Sequence, residues 1–109
     1  MDVTIKALEA YLHKQYAGRV AEQSLFMKLV EELGEVAEIL NRRSGRKAAD
    51  DSDLNDELGN ELADMIHYIV AVAAVNDLDL NEMILRKDKK ASIKYHREVN
   101  LEMFLSQAE

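Results

Sequence analysis

The sequence predicts an all-α chain, on three observations. Its 109 residues contain no proline and only four glycines, Gly18, Gly34, Gly45 and Gly59, too few breakers for the tight turns of a sandwich or barrel. Hydrophobic residues, 48% of the chain, recur at the three- and four-residue spacing of a helix face. Charged residues, at 32%, fill the positions between, as on a solvated helix surface. No linker, repeat or low-complexity tract divides the chain, so residues 1–109 are expected to form one domain with a modest core.

Val3 to about Gln15 reads as a first helix, with Val3, Ala7, Leu8, Tyr11 and Leu12 on one face. Gly18 falls where a break is needed. Ser24 is the expected N-cap of a second helix that runs to about Asn41. From Arg42 to Asp53 there is almost nothing to bury, and the run reads as a long polar loop of the kind that serves as a lid or partner contact. Ser52 or Asp53 caps a third helix, from Leu54 to Val75 or Asn76. Its second half, Met65–Val75, is apolar on nearly every side, and such a helix has to be surrounded. Three short neighbours cannot do that, so a second copy is expected to help. Asp79 and Glu82 form a capping-box start for a fourth helix to about Tyr95, with a shorter tail after Glu98. The expected architecture is a four-helix bundle completed by oligomerisation, as a homodimer or homotetramer.

Composition excludes several classes of function. Without cysteine there is no disulfide framework, thiolate nucleophile or cysteine zinc site. No apolar stretch is expected to reach the ~18–20 residues of a bilayer span. Asp2 and Glu9 do not fit a signal peptide, and a cytoplasmic protein with no membrane partner is expected. Fourteen Lys and Arg against twenty-one Asp and Glu leave a net charge of −7, which disfavours a grip on nucleic acid. A small phosphorylated ligand remains compatible, because a divalent ion held by carboxylates inverts the local sign.

The acid is concentrated in two places. Counting ~100° per residue from Leu25, the apolar stripe of the second helix spans ~0–140°, with Glu32 and Glu35 at ~340° and ~280°. Counting from Leu54, the third helix has its stripe at ~0–120°, and Glu61 and Asp64 again fall at ~340° and ~280°, beside Glu57 and Tyr68. Each helix thus carries an i, i+3 acidic pair on the same flank of its stripe. Two readings fit: solvated helix flanks, or four carboxylates converging at the core edge where a hard divalent cation cancels their repulsion.

The segment Lys28-Leu-Val-Glu-Glu-Leu-Gly-Glu-Val-Ala-Glu38, followed after Glu35 by 25 residues and then Glu61-Leu-Ala-Asp64, resembles the MazG-like branch of the all-α NTP pyrophosphatase superfamily. That family is marked by Glu-Glu-x-x-Glu and then Glu-x-x-Asp on the next long helix, and the likeness runs from about residue 24 to 95. The resemblance implies a MazG-like bundle and a Mg²⁺-dependent hydrolase, Mn²⁺ substituting, that splits a nucleoside triphosphate into a nucleoside monophosphate and pyrophosphate. The implied role is housecleaning or control of nucleotide pools.

The same resemblance assigns residues. The metal ligands fall on Glu32, Glu35, Glu61 and Asp64. Glu31 and Glu35 are the catalytic carboxylates, Glu31 supporting the ligands or the attacking water, and Glu38 faces solvent or a further ion. Lys87 and Lys90 of the fourth helix match the family's phosphate-binding cations, although Ala91 stands where relatives commonly have Asn. Tyr68, one turn after Asp64, and Lys28 are candidate substrate contacts, although for Tyr68 a packed ring is the favoured reading. His13, Gln15, Tyr16 and Gln23 are candidates for the base pocket, with Tyr11, Tyr16 or Phe26 to stack a base. His13, His67 and His96 share no ligand spacing and read as structural or exposed. The competing function is a non-catalytic helical module that binds a nucleotide or a protein.

Overall fold

The computed structural model describes residues 1–45 and 51–107, leaving aside the side chains of residues 51 and 52. Five helices follow one another: α1 (Ile5–Tyr16), α2 (Glu22–Ser44), α3 (Asp51–Val75), α4 (Leu80–Lys94) and α5 (Leu101–Gln107). There is no strand among the described residues, and the chain is all-α as expected. Met1–Leu78 form one compact unit and Asp79–Glu109 another.

In the first unit α3 packs against both α1 and α2. Thr4 Oγ1 accepts from the Ala7 amide at 3.1 Å and caps α1, a contact worth about 1 kcal/mol. Gly18 adopts φ +74°, the left-handed backbone that glycine enters without cost. The Arg19 and Val20 amides then both donate to the Tyr16 carbonyl and close the turn. Helix α2 begins at Glu22, ahead of the expected Ser24 cap, and Ala21 at its N-cap makes no side-chain bond. The reason is tertiary. Asn76 Nδ2 donates to Glu22 Oε2 at 2.7 Å, tying the first turn of α2 to the end of α3.

The far end of α2 also differs from expectation. The helix runs on to Ser44, its last turn carrying Arg42 and Arg43, charges that suit the negative end of the helix dipole. Since α3 already begins at Asp51, half of the expected 42–53 loop is helical, and Asp53 lies inside α3 instead of capping it. Residues 46–50, the remainder of the expected lid, and the Ser52 side chain fall outside the described residues. At its other end α3 closes in a Schellman motif: Leu78 donates to Ala73 and Asp77 to Ala74, with Asp77 at φ +55°.

The core consists of Leu12, then Leu25, Val36 and Ile39 of α2, and Leu54, Val70, Ala71, Ala73 and Ala74 of α3. Only part of the predicted α2 stripe reaches it. Leu25, Val36 and Ile39 lie at ~320–20° on the wheel, whereas Phe26, Val30, Leu33 and Leu40, at ~60–140°, stay exposed. Leu62, Ile66 and Ile69 of α3 are exposed beside Ala73 and Ala74, which are buried. Met27 and Met83 are exposed as well. One correction concerns α3 itself: over Asp53–Val75 its length and mean hydropathy of 1.3 are enough for a bilayer crossing. It nevertheless packs on α1 and α2 and carries five carboxylates, Asp53, Asp56, Glu57, Glu61 and Asp64, which hydrocarbon strongly disfavours.

In the second unit Asp79 Oδ1 accepts from the Glu82 amide at 3.1 Å, the expected cap of α4. A Schellman turn ends the helix, Arg97 donating to Ser92 and His96, at φ +55°, to Ile93. The expected tail is the short helix α5. Asn100 Oδ1 caps it by accepting from Met103 at 2.9 Å, and Asp88 Oδ2 ties it to α4 by accepting from the Leu101 amide at 2.7 Å.

Candidate metal centre

Glu32 on α2 and Glu61 and Asp64 on α3 each bring one carboxylate oxygen into a group whose members all lie within 4.8 Å of one another. Glu32 and Glu61 are half-buried and Asp64 is exposed. The Oε2 atoms of Glu32 and Glu61 are buried and, as carboxylates, have no hydrogen-bond partner among the described residues. Glu35, on the outer side of the same α2 flank, faces Glu61. Together these neighbours push the Glu61 carboxyl from its ordinary 4.5 up to about 8. Protonated, Glu61 donates to Glu32 and, less strongly, to Glu35. Burial and the two negative charges then oppose its ionisation. Buried acceptors lacking donors, closely spaced and all oxygen, fit a hard divalent cation. With no nitrogen or sulfur donor in the set, they do not suit a soft metal.

The other candidates fall around this group. Glu31 and Lys28 are exposed and pair with each other at 3.4 Å along α2, so neither joins the three clustered oxygens. Glu38 is exposed and lines a cleft of about 230 Å³ together with Glu35, Ile39, Arg42, Glu57 and Glu61. Across that cleft Arg42 Nη2 of α2 donates to Glu57 Oε2 of α3 at 2.8 Å. Tyr68 is half-buried, its ring set edge-on to His67 with centroids 4.9 Å apart. His67 Nε2 in turn shares a 2.8 Å hydrogen bond with the Tyr16 hydroxyl. Burial raises the pKa of that hydroxyl, and neighbouring Tyr68 and Tyr11 raise it further. Tyr68 therefore belongs to an aromatic cluster between α1 and α3. His13 is engaged elsewhere, its Nε2 lying 3.2 Å from Asp77 Oδ1.

The family model of the MazG nucleotide pyrophosphohydrolase domain matches residues 20–97. The chain belongs to the MazG family. Nucleotide pyrophosphohydrolase activity, in general terms, is what this domain implies. Comparison with curated proteins and with solved structures gives no match.

The matched MazG span takes in α2, α3 and α4 and therefore both acidic pairs, whereas α1 lies outside it. Lys87 and Lys90 sit within the span on α4, in the second unit, and border a hollow of about 670 Å³ with Arg86, Lys94 and Tyr95. Sequence reasoning missed Arg42 as a site residue by leaving it in a loop. On an extended helix it falls at ~260°, on the flank of Glu35 at ~280°, so the helical period held the signal. Glu57, on the same flank of the facing helix, is its partner.

Proposed function

We propose that the chain is a Mg²⁺-dependent nucleoside triphosphate pyrophosphohydrolase that breaks the bond between the α- and β-phosphates. The products are a nucleoside monophosphate and pyrophosphate. The observation that supports it best is the cluster of carboxylate oxygens from Glu32, Glu61 and Asp64 inside a MazG domain, with a buried oxygen on Glu32 and on Glu61 that has no donor among the described residues. Glu32, Glu35, Glu61 and Asp64 are the residues that would hold Mg²⁺, or Mn²⁺ in its place. Such an ion, when bound, neutralises charge building up at phosphorus and lowers the pKa of the attacking water.

The protein's own part is positioning and proton handling. Two helices hold the carboxylates before substrate arrives, so little rearrangement is left for the reaction. Glu35 faces the cleft and is the carboxylate placed to take a proton from water. Glu31, held by Lys28, steadies that turn of α2 as a positioning residue. Lys87 and Lys90 supply cations for the phosphates, and Tyr68 borders the substrate from the Asp64 side. The chain works as one domain in the cytoplasm, clearing or balancing nucleotides. Incubation with a panel of canonical and modified nucleoside triphosphates and Mg²⁺ is expected to release pyrophosphate from at least one. Release of inorganic phosphate alone, or no turnover of any triphosphate, would refute the assignment.

A second copy completes the fold in this reading. Phe26, Val30, Leu33 and Leu40 of α2 with Leu62, Ile66 and Ile69 of α3 present one exposed apolar face, larger than isolated surface side chains explain. A two-fold pairing of that face with itself buries the same residues on both copies. Light scattering is expected to give two or four times the 12.4 kDa chain mass. A single chain mass at micromolar concentration would exclude the pairing.

A further inference from the structure

We propose that Arg42 anchors the substrate's polyphosphate at the end that departs as pyrophosphate, with Glu57 aiming the guanidinium. This rests on the hydrolase reading above and adds to it a cation within the first unit. Among the described residues Arg42 is the one cation lining the cleft that also holds Glu35 and Glu61, so it lies beside the carboxylates assigned to the metal and along the same groove. Its Nη2 serves Glu57 at 2.8 Å. A guanidinium has five N–H donors in a planar fork matched to phosphate, and the others have no protein partner among the described residues. The side chain is 41% exposed, so those donors can be reached from the cleft.

Bridging α2 to α3 does not by itself account for this placement, because an exposed ion pair contributes little to stability. The surroundings also define what the anchor accepts. Glu35 and Glu38 repel a bare anion, so polyphosphate enters with its divalent cation and not alone. Glu57 has two effects: it fixes the fork and offsets part of its charge. Removing either partner therefore has different consequences. Loss of Arg42 removes the anchor, whereas loss of the Glu57 charge leaves an unneutralised guanidinium facing the cleft.

The test uses the full chain and inorganic pyrophosphate as probe, titrated calorimetrically with Mg²⁺ present, after Mn²⁺ binding has been measured on its own. Arg42→Ala is expected to weaken pyrophosphate binding about tenfold, the scale of one charge-assisted hydrogen bond. Arg42→Lys should fall between, and Glu57→Gln should bind at least as tightly as the unaltered chain. In turnover, Arg42→Ala should raise KM for every triphosphate by a similar factor. Unchanged pyrophosphate binding in Arg42→Ala overturns the proposal, as does equal weakening in Arg42→Ala and Glu57→Gln, the mark of a merely structural bridge. A change in the ranking of nucleobases with pyrophosphate binding intact would assign Arg42 to the base and also overturn it. If the unaltered chain binds no Mn²⁺, the metal-site reading fails first and separately.

Discussion

Glu61→Gln is expected to abolish pyrophosphate release and to raise the melting temperature of the metal-free protein above that of the unaltered chain at pH 8. The two effects have one cause. Glu61 stands between Glu32 and Glu35, which hold its carboxyl protonated up to about 8. The amide of Gln has the same shape and a permanent donor, so it gives Glu32 the hydrogen bond that protonated Glu61 gives. Glu32 then keeps at every pH a partner that it loses when Glu61 ionises. An amide is a poorer ligand than a carboxylate for a hard cation, however, and the metal site loses a charge it needs. Turnover should drop by more than about 100-fold, the upper end for losing only a group that supports a metal ligand. Circular dichroism melts in chelator and a pyrophosphate assay in Mg²⁺ check both halves. A variant that melts lower in chelator, or that keeps more than a tenth of the activity, would remove Glu61 from the proposed centre.

The acidic pairs were legible because their information is local. An i, i+3 spacing on a helix fixes a shared flank, and the facing helix repeats the pattern at Glu61 and Asp64. Caps were legible where the bond is local, as at Asp79 and Gly18, and missed where it is not. The start of α2 depends on Asn76 reaching back to Glu22 across 54 residues, and no pattern around Ser24 encodes that. Arg42 was hidden for a related reason. Hydrophobic periodicity finds helices through what they bury, and beyond Leu40 the α2 sequence buries nothing, although its dipole and the bond to Glu57 extend it. Burial within the stripe was equally beyond reach. Val36 and Leu33 are both apolar and three residues apart, yet Val36 is buried and Leu33 is exposed. Periodicity marks a residue as apolar without saying which protein covers it.

The stability of the metal-free protein should fall as pH rises between about 5 and 8, and divalent cation should reverse that trend. The sign follows from proton counts. Unfolded, Glu61 titrates at its ordinary 4.5; folded, at about 8. Below the lower value both states hold the proton and no penalty exists. Between the two the native state binds more protons than the unfolded one, so each rise in pH costs stability. Above about 8 both states are ionised and the loss levels off. A bound cation takes the proton's place between Glu32, Glu61 and Asp64 and removes the penalty. Its stabilising effect should therefore be small at pH 5.5, grow through neutrality and reach a plateau past pH 8, with about one proton released per ion bound near pH 7. Melting curves in chelator and in Mg²⁺ at pH 5.5, 7 and 8.5, with Glu61→Gln in parallel, isolate this group from the others that titrate. A metal-induced shift of equal size at all three pH values, or an identical pH slope in the Gln variant, would mean that Glu61 does not share its proton with the site.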